Sequence, residues 1–174
     1  MIIGRTRQSA MDAAELINIC YEADEEVALT LGDLMGPLVW PESPDNIASL
    51  HVLGNRVAVE AAIDMSAHQV HLDFDISKVA ACPIEMRSAL AAIDKNGRLC
   101  LTTSTQSPFA LRGELADLFK LPKDQIRVLA PDVGGSFGMK GTLYREDALV
   151  VWAAKRLNKP VYWFADRSES FLSD

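Results

Sequence analysis

The stretch "APDVGGSFGMKG", residues 130–141, sets Gly134, Gly135 and Gly138 around Ser136 and Phe137, with Lys140 two residues further on. It follows directly on the apolar run "IRVL". Glycines after a strand let backbone come close to another group, because no Cβ intervenes and positive φ is accessible. The group approached could be a nucleotide phosphate, a cofactor, or simply the next piece of the fold. A phosphate-binding loop of the form G-x-x-x-x-G-K-[ST] is excluded twice. Counting from Gly134, the residue before the lysine is Met139 rather than glycine, and the residue after it is Gly141 rather than Ser or Thr. A dinucleotide fingerprint, G-x-G-x-x-G, is not matched in its glycine spacing, although the strand–loop–helix setting suits it, so nucleotide binding stays a minor reading.

A second feature lies upstream in "TTSTQSPFALR", where Gln106 ends a strand expected to lie beside the glycine-loop strand. Its side-chain amide could donate a hydrogen bond toward whatever the glycines approach; equally, it could be an exposed strand end. Asp132, Lys140, Glu146 and Asp147 flank the loop. Charges at a helix start usually complement its dipole or face solvent, and that is the expectation for all four. His68 and His71 are three apart on a predicted strand, so they point to opposite faces and share no metal; His51 stands alone. Cys20, Cys82 and Cys100 form no C-x-x-C pair and read as buried free thiols of a reducing compartment.

Periodicity supplies the elements that must hold these residues. Residues 9–27 read as a short helix with Ser9 as N-cap, then a strand in "INICYEA". Residues 32–46, with two Gly and three Pro, read as a linker. "NRVAVEAAIDMSA" reads as a helix with Val57, Ala61 and Ala62 on one face, and "QVHLDFDI" alternates as a half-buried strand should. "SALAAIDKNGRLCLTTST" reads as two strands around a tight turn in which Asn96 and Gly97 supply positive φ. Ser107-Pro108 opens a helix carrying Leu111, Leu115, Leu118 and Phe119. "IRVLA" is a strand, and after the glycine loop a helix near 144–157 carries Leu149, Val150, Trp152, Ala153 and Leu157 before Pro160 stops it. "VYWFA" is a last strand, and "DRSESFLSD" reads as cut short, with neither turn nor cap. The order implies an α+β (mixed α/β) fold, helices packed on a mixed sheet.

Composition sets the outer bounds. The chain has 174 residues, 49% hydrophobic and 24% charged, so it can bury a core of its own. The net charge of −7 argues against a nucleic-acid footprint, which would be basic. No apolar stretch approaches the length of a membrane span, and the N-terminus lacks the apolar core of a secretory signal, so a cytoplasmic protein is expected.

Taken together, "PIEMR" (83–87), "STQSPFALR" (104–112), "IRVLAPDVGGSFGMK" (126–140) and "PVYWFADRSESFLSD" (160–174) resemble the molybdenum-binding large subunit of the xanthine dehydrogenase, aldehyde oxidase and carbon monoxide dehydrogenase family. "SAMDAAELINICYEADEEV" is similar to the close of the small hammerhead domain that precedes the molybdenum domain there. The resemblance implies three segments: 1–31 closing an α/β hammerhead-like domain, 32–50 a linker, and 51–174 the N-terminal part of a molybdopterin-binding domain. It implies that Gly134, Gly135, Ser136, Phe137 and Gly138 line the molybdopterin, with the backbone of Phe137 beside the metal. It implies that Gln106 hydrogen-bonds an oxo ligand of molybdenum. Arg87 and Arg112 match family arginines and read as structural.

Two departures matter. Xanthine-oxidising members carry a purine-binding glutamate directly after the loop lysine, where this chain has Gly141. The family's catalytic glutamate falls beyond residue 174, so no catalytic residue is expected within the chain. The implied reading is a fragment of a molybdenum hydroxylase, whose intact form would oxidise an aldehyde, a heteroaromatic or a similar small molecule with oxygen from water. Its partners would be the rest of the molybdenum subunit, an iron–sulfur subunit and an FAD-bearing flavin subunit. The isolated chain is expected to be inactive and to form a homo-oligomer. The alternative is a truncated, non-catalytic remnant or assembly partner that binds no cofactor; a nucleotide-binding module is a third reading.

Overall fold

The structure is a computed structural model, and it describes residues 1–23, 37–43, 45–77 and 79–174. These group into two compact units, Met1–Asp75 and Ile76–Asp174.

The first unit carries two short helices, α1 (Arg7–Glu15) and α2 (Arg56–Asp64). The cap of α1 is Thr6, and Ser9 stands three residues inside it, reversing the role expected for Ser9. The Thr6 hydroxyl accepts from Ser9 N–H at 3.1 Å, and the Ser9 hydroxyl accepts from Thr6 N–H at 3.2 Å. That reciprocal pairing satisfies two N–H groups the helix itself cannot use. The second helix forms where its apolar spacing places it, with the Asn55 side chain accepting from Ala58 N–H. Neither helix buries a residue, so Val57 and its neighbours meet no core.

Residues 17–23 and 69–76 are not strands, against expectation; residues 24–27 of the first of these lie outside the described residues. Alternation reports a preference for a half-buried surface, but a strand exists only when a neighbour accepts its hydrogen bonds. Among the described residues neither segment has one, and Val70, Leu72, Phe74 and Ile76 are all exposed. His68 and His71 therefore lie on no strand. Over its described part the expected linker is a pinned turn: the Asn46 side chain accepts from Val39 N–H and donates to the Pro37 carbonyl.

The second unit is a four-stranded mixed sheet of order β3-β2-β1-β4. β1 (Ser88–Ile93) pairs antiparallel with β2 (Leu99–Thr103) and with β4 (Val161–Phe164), while β3 (Ile126–Leu129) pairs parallel with β2. The β1–β2 turn forms as predicted, with a different origin. Only Gly97 has positive φ, at 78°; Asn96 does not. The Asp94 carboxylate instead accepts from the N–H groups of Asn96 and Arg98, holding an Asx-type turn that Gly97 closes.

Helices α3 (Pro108–Phe119) and α4 (Arg145–Leu157) cover the sheet. Leu111, Leu115 and Ala116 of α3 and Val150, Val151, Ala153 and Ala154 of α4 are buried. Within the core, Leu115, Ala116, Val150, Val151 and Ala154 meet Ala89, Ala91, Leu99, Leu101 and Ile126 of the sheet. Leu118, expected on the buried face of α3, is 56% exposed; Leu149, Trp152 and Leu157 of α4 are exposed as well. Helix α3 starts at Pro108 as the sequence predicts, but the Ser107 hydroxyl caps nothing. The closing residues, expected to be uncapped, form α5 (Arg167–Ser173), with the Asp166 side chain accepting from Glu169 N–H at 2.7 Å.

Among the described residues, no helix is long and apolar enough to cross a membrane. The cysteines are not buried: Cys20 and Cys82 are exposed and Cys100 is half-buried.

Candidate functional site

Strands β2 and β3 run in the same direction, so their carboxyl ends open on one edge of the sheet. Loops at that edge of parallel strands are where open α/β sheets place ligands. Segment 104–107 leaves β2 and segment 130–144 leaves β3, which brings Gln106 to the glycine loop as its place in the sequence predicts. Because β1 is antiparallel to β2, the residues just before β1 reach the same edge, and they bring Glu85.

The loop backbone is unusual. Gly135 has φ 101°, Phe137 52° and Gly138 97°. A bulky residue at positive φ is rare and holds only where its surroundings enforce it. Phe137 is nevertheless 78% exposed, so the enforcement comes through the backbone beside it. A Cβ at Gly134 would stand 2.6 Å from Glu85 Cβ, and one at Gly135 would stand 3.1 Å from both Pro83 and the Phe137 ring. A Cβ at Gly138 would meet nothing, so that glycine serves the backbone turn and leaves open space above it. Among the described residues, the N–H groups of Phe137 and Gly138 donate to no protein acceptor.

Three residues, Glu85, Ser104 and Lys140, hold the loop from beneath. The Glu85 Oε2 atom accepts from Gly134 N–H at 2.6 Å, from the Ser104 hydroxyl at 2.7 Å and from Lys140 Nζ at 2.9 Å. Lys140 Nζ also donates to Ser104 Oγ at 2.6 Å and to the Glu85 carbonyl at 2.9 Å. The lysine side chain is fully buried, which corrects its expected place in solvent. Burial alone would raise the Glu85 pKa; the hydrogen bonds from Ser104, Lys140 and Gly134 outweigh it and hold the carboxyl below its ordinary range. Asp147 takes the dipole-complementing place open to it, in the first turn of α4, but is buried there: it accepts from the Thr103 hydroxyl at 2.9 Å, and burial pushes its pKa up. Asp132 is exposed, and Glu146 is half-buried against Arg87.

Gln106 sits above this base. Its backbone N–H donates to the Lys140 carbonyl at 3.0 Å, and its Oε1 accepts from the Ser136 hydroxyl. Its side chain is at the exposed rim, next to Gly141. Arg87 and Arg112 do what their structural reading implies. Arg87, 4% exposed, pairs with Glu146 at 3.0 Å and Asp174 at 2.6 Å, with its guanidinium 3.8 Å from the Tyr144 ring centre. Arg112 donates to the carbonyls of Lys123 and Ile126, tying the middle of α3 to the start of β3. A shallow depression of about 110 Å³ beside Glu85 is walled by Leu90, Thr102, Ser104, Pro131 and Phe164.

Glu85 and Ser104 are the residues that sequence reasoning missed. Both stand inside quoted blocks, "PIEMR" and "STQSPFALR", but no period links them to Lys140. The available signal was the unexplained acid just upstream of a strand that also precedes a lysine-bearing loop.

Residues 39–174 match the family described as the molybdopterin cofactor-binding domain. The chain belongs to that family. It is 31% identical to the large subunit of nicotine 6-hydroxylase from Paenarthrobacter nicotinovorans, over 99% of this chain and 21% of that protein. It is 29% identical to the carbon monoxide dehydrogenase large chain of Afipia carboxidovorans, over 97% of this chain and 23% of that protein. Among solved structures it superposes on quinoline 2-oxidoreductase from Pseudomonas putida 86 with a TM-score of 0.73 and 34% identity, over 95% of this chain and 21% of that one. The chain thus spans about a fifth of the length of the relatives it matches.

The loop's chemistry fits an anionic pterin cofactor. It offers N–H groups without protein acceptors, a neutral amide at the rim, and glycines where a side chain would crowd the ledge. The acidic groups below are paired, so none is turned toward the ledge as a bare charge.

Proposed function

We propose that the chain is part of the large subunit of a molybdopterin-dependent oxidoreductase and forms one side of its cofactor site. The observation that carries this reading is the ledge at the carboxyl ends of β2 and β3, where Gln106 meets a glycine loop with unpaired N–H groups. Gly134, Gly135, Ser136, Phe137 and Gly138 would line the cofactor, the Phe137 backbone being the part of the loop that would meet the metal. The Gln106 amide would donate to an oxo ligand of the bound metal. A neutral donor stabilises charge there without competing as a ligand. When bound, the cofactor supplies two-electron oxidation of a small molecule, an aldehyde, a heteroaromatic or a similar compound, with oxygen from water.

The chain's own part is to bind and orient. Exposed N–H groups at 137 and 138 meet the anionic cofactor; the Glu85–Lys140 pair fixes the loop from below. Neither acid beneath the loop is free to act as general base: Glu85 already accepts three hydrogen bonds and Asp147 faces Thr103. The 174-residue chain alone therefore gives no turnover, and the proton-accepting residue comes from the remainder of the subunit. Residues 1–31 close a hammerhead-like domain, 32–50 link, and 51–174 open the molybdopterin-binding domain. An iron–sulfur subunit and an FAD subunit carry the electrons away. Alone, the chain self-associates through its exposed apolar surfaces.

Metal analysis tests the reading. The chain is purified from its native host with and without co-expressed downstream genes. Stoichiometric molybdenum and pterin that require the neighbour, and that drop in a Gln106→Ala, Gly138→Val double variant, support it. No molybdenum under either condition overturns it in favour of a folded remnant that binds no cofactor.

A further inference from the structure

We infer that Ser136 is a positioning residue that sets which end of the Gln106 amide faces outward. The inference rests on the reading that Gln106 meets the cofactor, and it concerns how that amide is prepared beforehand. The two ends of a glutamine amide are almost equal in size and opposite in hydrogen-bonding sense. Without a fixed neighbour, Gln106 could present either its carbonyl or its NH₂, and a carbonyl would repel an oxygen ligand where an NH₂ would bind it.

The contacts of Ser136 supply that neighbour: its hydroxyl has one proton and two lone pairs, and the proton is what meets the Gln106 amide. Lys140 N–H donates to Ser136 Oγ at 3.1 Å, and a backbone N–H can only donate. The Ser136 hydroxyl is therefore an acceptor on that side and keeps its single proton for another partner. Among the described residues that partner is Gln106 Oε1. The amide oxygen is thereby engaged by Ser136, and among the described residues both Nε2 protons remain without a protein acceptor, available at the exposed rim.

The relay hangs from one peptide neighbourhood. Lys140 N–H anchors Ser136, while the Lys140 carbonyl accepts from Gln106 N–H and from the Thr105 hydroxyl, each at 3.0 Å. The lysine side chain is itself locked on Glu85 and Ser104. Serine and glutamine thus move with a common base. Gly141 completes the arrangement: a Cβ there would stand 3.7 Å from Gln106 Nε2, so glycine keeps competing side-chain acceptors away from the free NH₂.

The test reads the amide directly, in the full chain without cofactor. With glutamine side chains labelled with ¹⁵N, the order parameter of Gln106 Nε2 is measured in the native protein, Ser136→Ala and Ser136→Thr. The expected result is a value near rigid backbone, about 0.85, that falls below about 0.6 in Ser136→Ala and returns in Ser136→Thr. Unchanged backbone signals from Leu101 and Leu115 show that the fold is intact. A Gln106 amide as ordered in Ser136→Ala as in the native chain overturns the inference. Should the alanine variant perturb those core signals, Ser136→Thr decides: an ordered amide supports the relay, and a mobile one overturns it. Because molybdenum is absent throughout, a failed metal-loading experiment leaves this result untouched, and the reverse also holds.

Discussion

At Glu85 a single carboxylate oxygen collects three donors, and one of them, Lys140 Nζ, is shut away from water. The pair's value is therefore dominated by what its loss would strand. Glu85→Ala leaves a buried ammonium with only Ser104 and a carbonyl, and should cost about 3 kcal/mol in urea unfolding, the low end for breaking a buried pair because water reaches Glu85. The pH dependence follows from the lowered pKa of this carboxyl. Its stabilisation is present above the unfolded glutamate value of about 4.3 and is lost as the pH falls through the lower folded value. The stability gap between the native chain and Glu85→Gln should thus be widest near neutrality and close in acid; a gap that widens in acid would contradict the assignment. Gly135→Ala places a Cβ at φ 101° within 3.1 Å of Pro83 and the Phe137 ring, for a loss of about 1–3 kcal/mol, whereas Gly138→Ala meets only the conformational penalty and should lose less. Denaturant midpoints of the two variants give the ordering.

Among the elements, the β1–β2 hairpin, helices α2, α3 and α4 and strands β3 and β4 were legible in the sequence because each carries local information: alternation, a proline at the first helical turn, or an apolar spacing of three and four. "QVHLDFDI" misleads for the same reason, since its alternation is genuine and says nothing about a partner strand. Face assignment was weaker. In α3 the run Leu111, Leu115, Leu118, Phe119 fits a stripe, yet Ala116 turns inward and Leu118 outward. Leu115→Ala should therefore cost about 2–5 kcal/mol and Leu118→Ala less than about 0.5, as read by thermal or urea unfolding. Equal losses would mean that the helix is rotated. The candidate site divides in the same way. Glycines and a glutamine after strands can be seen along the chain, but Glu85, Ser104 and Lys140 meet only through the strand order, across gaps that no periodicity spans.

For the molecule as a whole, the sheet of the second unit is covered by α3 and α4 on one face, while Leu90, Tyr162 and Phe164 are about half exposed on the other. The register places Leu90 opposite Tyr162, whose ring lies 5.6 Å from that of Phe164, so these three form an apolar patch bordered by Thr102 and Ser88. Phe164→Glu should lower self-association of the chain in light scattering without lowering its unfolding midpoint; unchanged association would place the contact elsewhere. The same strand order has a consequence in time. Strand β1 and its hairpin partner β2 are adjacent in the chain and can pair in roughly 1–10 μs. The other side of β1 must wait for β4, which begins at Val161. At a synthesis rate of ~5–20 residues per second, that edge stays open on the ribosome for seconds, far longer than the hairpin takes to close. An open strand edge lasting that long invites pairing with another nascent chain. Slower translation between residues 104 and 160 should therefore lower soluble yield, even though it leaves the finished sequence unchanged.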